Sequence, residues 1–187
     1  MYAPFSDEFS TVLNPDDYLS ILESRDQLTV VLRSHLITEE FLNLWCKKTT
    51  SCDALFDRCF VPYKTKNQIA RNLGLPDQAF SALDYLNDLR NKFSHNHRYV
   101  ITDGQTEKLR SLVDLFATEL KLVNCNEFSI HTHERHESGM LLEVSYSWEN
   151  SPAEKKVFIV LCVLTMKLTK WIQDAFNSRG VNYKLVD

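Results

Sequence analysis

Pro76-Asp77-Gln78-Ala79-Phe80-Ser81-Ala82-Leu83-Asp84-Tyr85-Leu86-Asn87-Asp88-Leu89-Arg90-Asn91-Lys92-Phe93-Ser94-His95 is the stretch that decides the fold. Pro-Asp opens a helix, because proline suits the first turn and an acid complements the positive end of the macrodipole. Phe80, Leu83, Leu86, Leu89 and Phe93 then recur at three- and four-residue spacing, which makes one apolar stripe. The helix predicted here runs into Arg90–His95 at its C-terminal end.

Working outward, Gly74 is a natural stop for a helix over about residues 65–73. Asn14-Pro15-Asp16-Asp17 reads as an N-cap, Pro at N1 and acids in a first turn. Ser24-x-x-Gln27 reads as a capping box ahead of Leu28, Val31, Leu32, His35, Leu42 and Trp45, a long helix ending near Lys48. Residues 49–63 have no regular period. Downstream, Thr102-x-x-Gln105 is a second capping box, followed by a stripe of Leu109, Leu112, Val113, Phe116, Leu120 and Val123. From Asn124 to Asn150 the period becomes two: Phe128 and Ile130, then Met140, Leu142, Val144, Tyr146 and Trp148, with Glu137-Ser138-Gly139 between them. That pattern predicts a β-hairpin. Ser151-Pro152-x-Glu154 restarts a helix that Gly180 closes, and its Val157–Leu164 segment is apolar all round, hence the most buried. The expected fold is mostly α, one domain over 1–187, a helical bundle with a small hairpin insertion at about 124–150 before the last long helix.

The totals agree. A chain of 187 residues suits one core, and 44% hydrophobic residues with only four Gly and five Pro favour long elements over a turn-rich β architecture. Five cysteines, an odd number without CxxC spacing, argue against a disulfide framework. Met1–Glu8 has neither a basic n-region nor an apolar h-region, and the longest apolar run falls well short of the ~18 residues of a membrane span. The expectation is a cytoplasmic protein with no membrane partner.

Net charge is −4, which disfavours a non-specific nucleic-acid coat and direct DNA binding. The charges are segregated, however. Arg58–Pro76 holds Arg58, Lys64, Lys66 and Arg71 without an acid, and Leu89–Thr102 holds Arg90, Lys92 and Arg98 with His95 and His97, again without an acid. Such clusters either make an anion site on an acidic body or sit on solvated helix faces.

Arg90–His95 carries the chemistry. Asn91 and His95, four apart, share a helix face, and Arg90 stacks with Ser94. A histidine titrating near neutrality can take the proton of an RNA 2′-hydroxyl or protonate the leaving oxygen. Arg90 would stabilise charge on the phosphoryl oxygens and Asn91 would orient His95 or the phosphate. Lys92, Ser94, His97, Arg98 and the upstream Lys64, Lys66 and Arg71 are the candidate phosphate-binding residues. The macrodipole alone also draws Arg, Lys and His to helix C-termini.

Leu73-Gly74-Leu75, then Phe80, Leu83 and Leu86, then Leu89-Arg90-Asn91-Lys92-Phe93-Ser94-His95-Asn96 resembles the mannitol operon repressor (MltR-like) family. Its Arg-polar-x-x-x-His segment also resembles the signature of the HEPN superfamily. The resemblance spans roughly residues 24–123 and is best over 73–96. It implies a helical bundle and a homodimer whose paired Arg90…His95 motifs form a metal-independent ribonuclease, in toxin, defence or RNA-control biology, with RNA or an antitoxin as partner. It equally implies a non-catalytic transcriptional regulator working through a regulatory protein. Many HEPN toxins carry Tyr two residues after the histidine; here that position is His97, a departure from the minimal-toxin pattern.

Other candidates are weaker. His131, His133 and His136 form H-x-H-x-x-H in the predicted hairpin, a partial metal set with Glu134 or Glu137 as carboxylate, or exposed histidines near a turn. His35 lies on an apolar stripe and reads as a satisfied core histidine. Trp171, Ile172 and Phe176 read as core, and Cys52 and Cys59 lack a paired base. There is no glycine-rich phosphate loop, GxSxG or zinc-finger spacing, so no cofactor is implied.

Overall fold

The computed structural model describes residues 9–96, 98–118, 120–135 and 141–183. Among these, six helices and one two-stranded antiparallel sheet follow the order α1 (Pro15–Glu23), α2 (Gln27–Thr50), α3 (Tyr63–Asn72), α4 (Asp77–His95), α5 (Asp103–Leu115), β1 (Ile130–Arg135), β2 (Leu141–Tyr146) and α6 (Ala153–Arg179). The mostly helical reading with a hairpin before the last long helix holds. No helix among the described residues is long and apolar enough to cross a membrane.

Local chemistry explains most boundaries. Asn14 caps α1, its Oδ1 accepting from the Asp16 N–H at 3.1 Å. The cap of α2 is a correction: Asp26, not Ser24, is the N-cap, with Oδ2 accepting from the Thr29 N–H at 2.8 Å and hydroxyl at 2.6 Å. Those bonds hold the Asp26 carboxyl below its usual range. Ser24 instead closes α1, and Gln27 accepts from the Ile101 N–H at 2.9 Å, tying α2 to the segment before α5.

α2 is the central helix, packed against α1, α3, α4 and α6. α3 and α4 form a helical hairpin whose turn needs Gly74, at φ +107. A Cβ there would also meet Arg179 Nη2 at 2.5 Å. Arg179 Nη1 donates to the Leu73 carbonyl at 3.0 Å, and its guanidinium lies over the Trp45 ring. Trp45 in turn stacks on Phe176 and meets Trp171, so the end of α6 clamps the α3–α4 turn.

The α5 stripe is shorter than the sequence suggests. The capping box at Thr102 and Gln105 forms, but the helix ends at Leu115, and Leu120 and Val123 are exposed beyond it. Tertiary bonds end it: the buried Lys167 donates to the Val113 carbonyl at 2.9 Å, and Asp114 Oδ1 accepts from the Cys125 N–H at 2.9 Å. Once its last carbonyls are satisfied from α6, the helix has no need of another turn.

The hairpin pairs Ile130 with Tyr146 and Arg135 with Leu141; its predicted turn, Glu137–Gly139, lies outside the described residues. Phe128 and Trp148 flank the strands rather than joining them. Trp148 is buried at the hairpin base, its Nε1 donating to Glu107 Oε1 at 2.7 Å. In α6, Val157–Leu161, Val163 and Leu164 are all buried, as expected, and Gly180 closes the helix at φ 65.

Candidate functional site at the end of α4

The buried stripe of Leu83, Leu86, Leu89 and Phe93 fixes the rotation of α4. Ser94 and His95 are consequently exposed, while Arg90 and Asn91 are half-buried. Arg90 Nη1 donates to Asn91 Oδ1 at 3.2 Å, and Ser94 Oγ donates to the Arg90 carbonyl at 3.2 Å. Arg90 Nε is buried with no hydrogen-bond partner among the described residues, and Arg90 makes no ion pair among them. Five helical residues turn about 140° around the axis, so Arg90 and His95 diverge, with Ser94 on the arginine's side and Asn91 on the histidine's.

Beyond the helix, Asn96 Oδ1 accepts from the Arg98 N–H at 3.0 Å, a local turn that leaves Arg98 exposed. Lys92 is exposed, with Nζ 5.9 Å from the Tyr99 ring, and Tyr99 packs edge-on against Phe93. His97 lies outside the described residues.

Of the upstream cations, Arg71 lies away from this end. Arg71 Nε pairs with Asp77 Oδ1 at 2.7 Å and its guanidinium lies over Phe80, at the start of α4 and roughly 20 Å along the helix from Arg90. Lys66 pairs with Glu39 at 2.8 Å and lies over Phe56. Lys64 is exposed near the start of α3. The acid-free stretch 58–76 is thus neutralised partly from other elements: absence of acids in sequence is not absence of acids in space.

The histidines divide sharply. His131 and His133 point to the outer face of β1, opposite Ser145 and Glu143, and are exposed. His136 lies outside the described residues, and among these no three His, Cys, Asp or Glu side chains are placed to share a metal ion. His35 is buried, as read from its stripe, and its Nε2 lies 3.2 Å from Asn87 Oδ1. Its ring lies 4.1 Å from that of Tyr63, whose hydroxyl donates to Thr38 Oγ1 at 3.0 Å. Desolvation lowers the His35 pKa, and the nearby Arg90 charge adds to that effect, whereas the Asn87 bond and Glu39 oppose it. Sequence reasoning missed Asn87. A polar residue at an apolar-stripe angle, three and four residues before Arg90 and Asn91, was the available signal.

The five cysteines are free. Burial pushes the Cys46 and Cys162 thiols up to about 12, which disfavours thiolate chemistry there. An apolar groove of about 540 Å³ between α1 and α6, lined by Leu13, Tyr18, Leu122, Cys162 and Met166, takes no residue from α4.

No family model, curated protein or solved structure matches this chain. The arrangement must therefore be judged on its own chemistry. A guanidinium with no carboxylate partner among the described residues, braced by an amide, shares a helix end with a solvent-facing imidazole.

Proposed function

We propose that this chain is a HEPN-type RNA-acting protein, a metal-independent endoribonuclease serving a toxin, defence or RNA-control role. One observation supports the reading most: Arg90 is braced by Asn91 and has no carboxylate partner among the described residues, on the same helix end as the exposed His95. A structural arginine at a helix end would ordinarily find an acid, as Arg71 does. An arginine kept for a phosphate would not.

In the proposed reaction, the 2′-oxygen of one nucleotide attacks the adjacent phosphorus and the 5′-oxygen of the next nucleotide departs. His95 removes the 2′-hydroxyl proton or supplies one to the leaving oxygen, and Arg90 stabilises the charge that builds on the non-bridging oxygens. The products are a 2′,3′-cyclic phosphate and a 5′-hydroxyl. Because Arg90 and His95 diverge around one helix, a homodimer with two α4 ends facing each other supplies an acid–base pair with a guanidinium between. Asn91, on His95's side, orients the imidazole. Lys92, Ser94 and Arg98 extend the phosphate contacts.

The test is cleavage of mixed cellular RNA by purified protein in EDTA, compared with His95→Ala and Arg90→Ala. Cleavage by the wild type alone with cyclic-phosphate ends is the expected outcome. Three folded, equally inert proteins would sink the enzyme reading. The second reading, a non-catalytic MltR-like regulator acting through protein partners, is favoured by Leu141 and Leu142, exposed toward the hairpin tip where a partner could cover them.

A further inference from the structure

A polar seam between α2 and α4, His35 facing Asn87, lies one helical turn before Arg90 along α4. His35 is pinned twice, by its Nε2–Asn87 Oδ1 contact and by the Tyr63 ring, which is itself anchored through Thr38. A buried imidazole so held cannot swing. Asn87 precedes Arg90 by three residues and Asn91 by four, so its side chain sits one helical turn below theirs on adjoining sides. Leu83, Leu86 and Leu89 show that apolar residues fill the neighbouring positions of α4. A leucine at 87 facing a leucine at 35 would bury the same seam without the cost of desolvating two polar groups.

Arg90 gives the seam a use. Its Nη1 reaches out to Asn91, while its Nε lies buried without a partner among the described residues. The stem of the side chain therefore runs inward, over the turn of α4 that carries Asn87. The guanidinium stem needs a neutral wall that neither pairs with it nor lets it collapse into the core. A carboxylate at either position would pair with it and draw the Nη groups away from solvent.

We propose that the His35–Asn87 pair is the positioning element of the Arg90 site, walling the guanidinium stem on its α2 side and fixing where the Nη groups meet a phosphate. Neither residue touches substrate. This inference rests on the reading of Arg90 as a phosphate-binding group, and its test separates the two.

The experiment follows the Arg90 Nε–H resonance by ¹H–¹⁵N NMR, assigned through its loss in Arg90→Lys, in full-length wild type, His35→Gln, His35→Leu and Asn87→Ala. RNA cleavage in EDTA is measured on the same samples. His35→Leu and Asn87→Ala should each displace or broaden the Arg90 resonance and lower kcat by about tenfold, with KM changing less than about threefold. His35→Gln keeps a side-chain donor of similar reach and should restore both. If His35→Leu fails to fold, Asn87→Ala removes the same bond from the α4 side. An unchanged Arg90 resonance in a folded Asn87→Ala or His35→Leu variant overturns the proposal. A wild type that cleaves no RNA defeats the ribonuclease reading instead, and the resonance still decides the role of the pair.

Discussion

The two ends of α4 carry similar charges and treat them in opposite ways. At the start, Arg71 is paired with Asp77 and laid over Phe80, beside a turn that Gly74 and Arg179 lock to α6. At the other end, Arg90, Lys92 and Arg98 make no ion pair among the described residues, and His95 is open to solvent. One end spends its cations on holding helices together. The other leaves them without an acid partner among the described residues. A shared helix makes the contrast informative, because propensity and macrodipole explain a cation near the C-terminus but not the missing acids.

Removal of the open cation or of the exposed imidazole should have the largest effect. Arg90→Ala and His95→Ala should each lower RNA cleavage by about 100-fold or more, with the thermal midpoint within a few degrees of wild type. Activity retained in both, measured on gel-resolved RNA, would make the two ends equivalent.

Gly74→Ala probes the locked end. A positive φ and the Arg179 side chain both oppose a Cβ, so the loss should be roughly 1–3 kcal/mol in urea unfolding. Specific activity per folded molecule should stay unchanged. A fall in activity without a fall in stability would show that the turn reaches the far end.

A third, smaller effect concerns the seam. Burial depresses the His35 pKa, so the folded protein resists protonation while the unfolded chain accepts it. The unfolded state then binds more protons as pH falls through the ordinary histidine range, and stability declines with it. The urea midpoint should drop between pH 7.5 and pH 5.5, and the drop should shrink in His35→Gln. Equal slopes in the two proteins would remove His35 from the account.

The smallest effect belongs to Asp77→Asn. Both partners of the Arg71 pair are substantially exposed, so solvent screens it, and the cost should stay below about 1 kcal/mol with no change in cleavage. A larger loss would mean that the pair supports the α3–α4 turn more than its exposure suggests.

Much of this is legible in the sequence. The period of three and four placed α4, and Gly74 and Gly180 marked ends where positive φ was needed. The switch to a period of two located the hairpin, because side-chain direction alternates strictly along a strand. The one capping box that failed did so for a local reason. Asp26 lies closer to the first helical residue than Ser24 and offers a charged acceptor. The α5 stripe misleads for a distant reason: Lys167, more than fifty residues later, bonds the Val113 and Asp114 carbonyls in the last turn.

What the sequence determined by itself, then, is the set of helices, the hairpin and the composition of the α4 end. These depend on interactions within a few residues, and local order is enough to write them. Only the tertiary structure decided which charges remain open and what lies beneath them. Glu39 reaches Lys66, and His35 meets Asn87, across 27 and 52 residues of chain, and no spacing rule connects such distant positions. Such contacts form when the apolar faces of α2, α3 and α4 pack together; the buried His35 and Asn87 are then shut from water and bond each other.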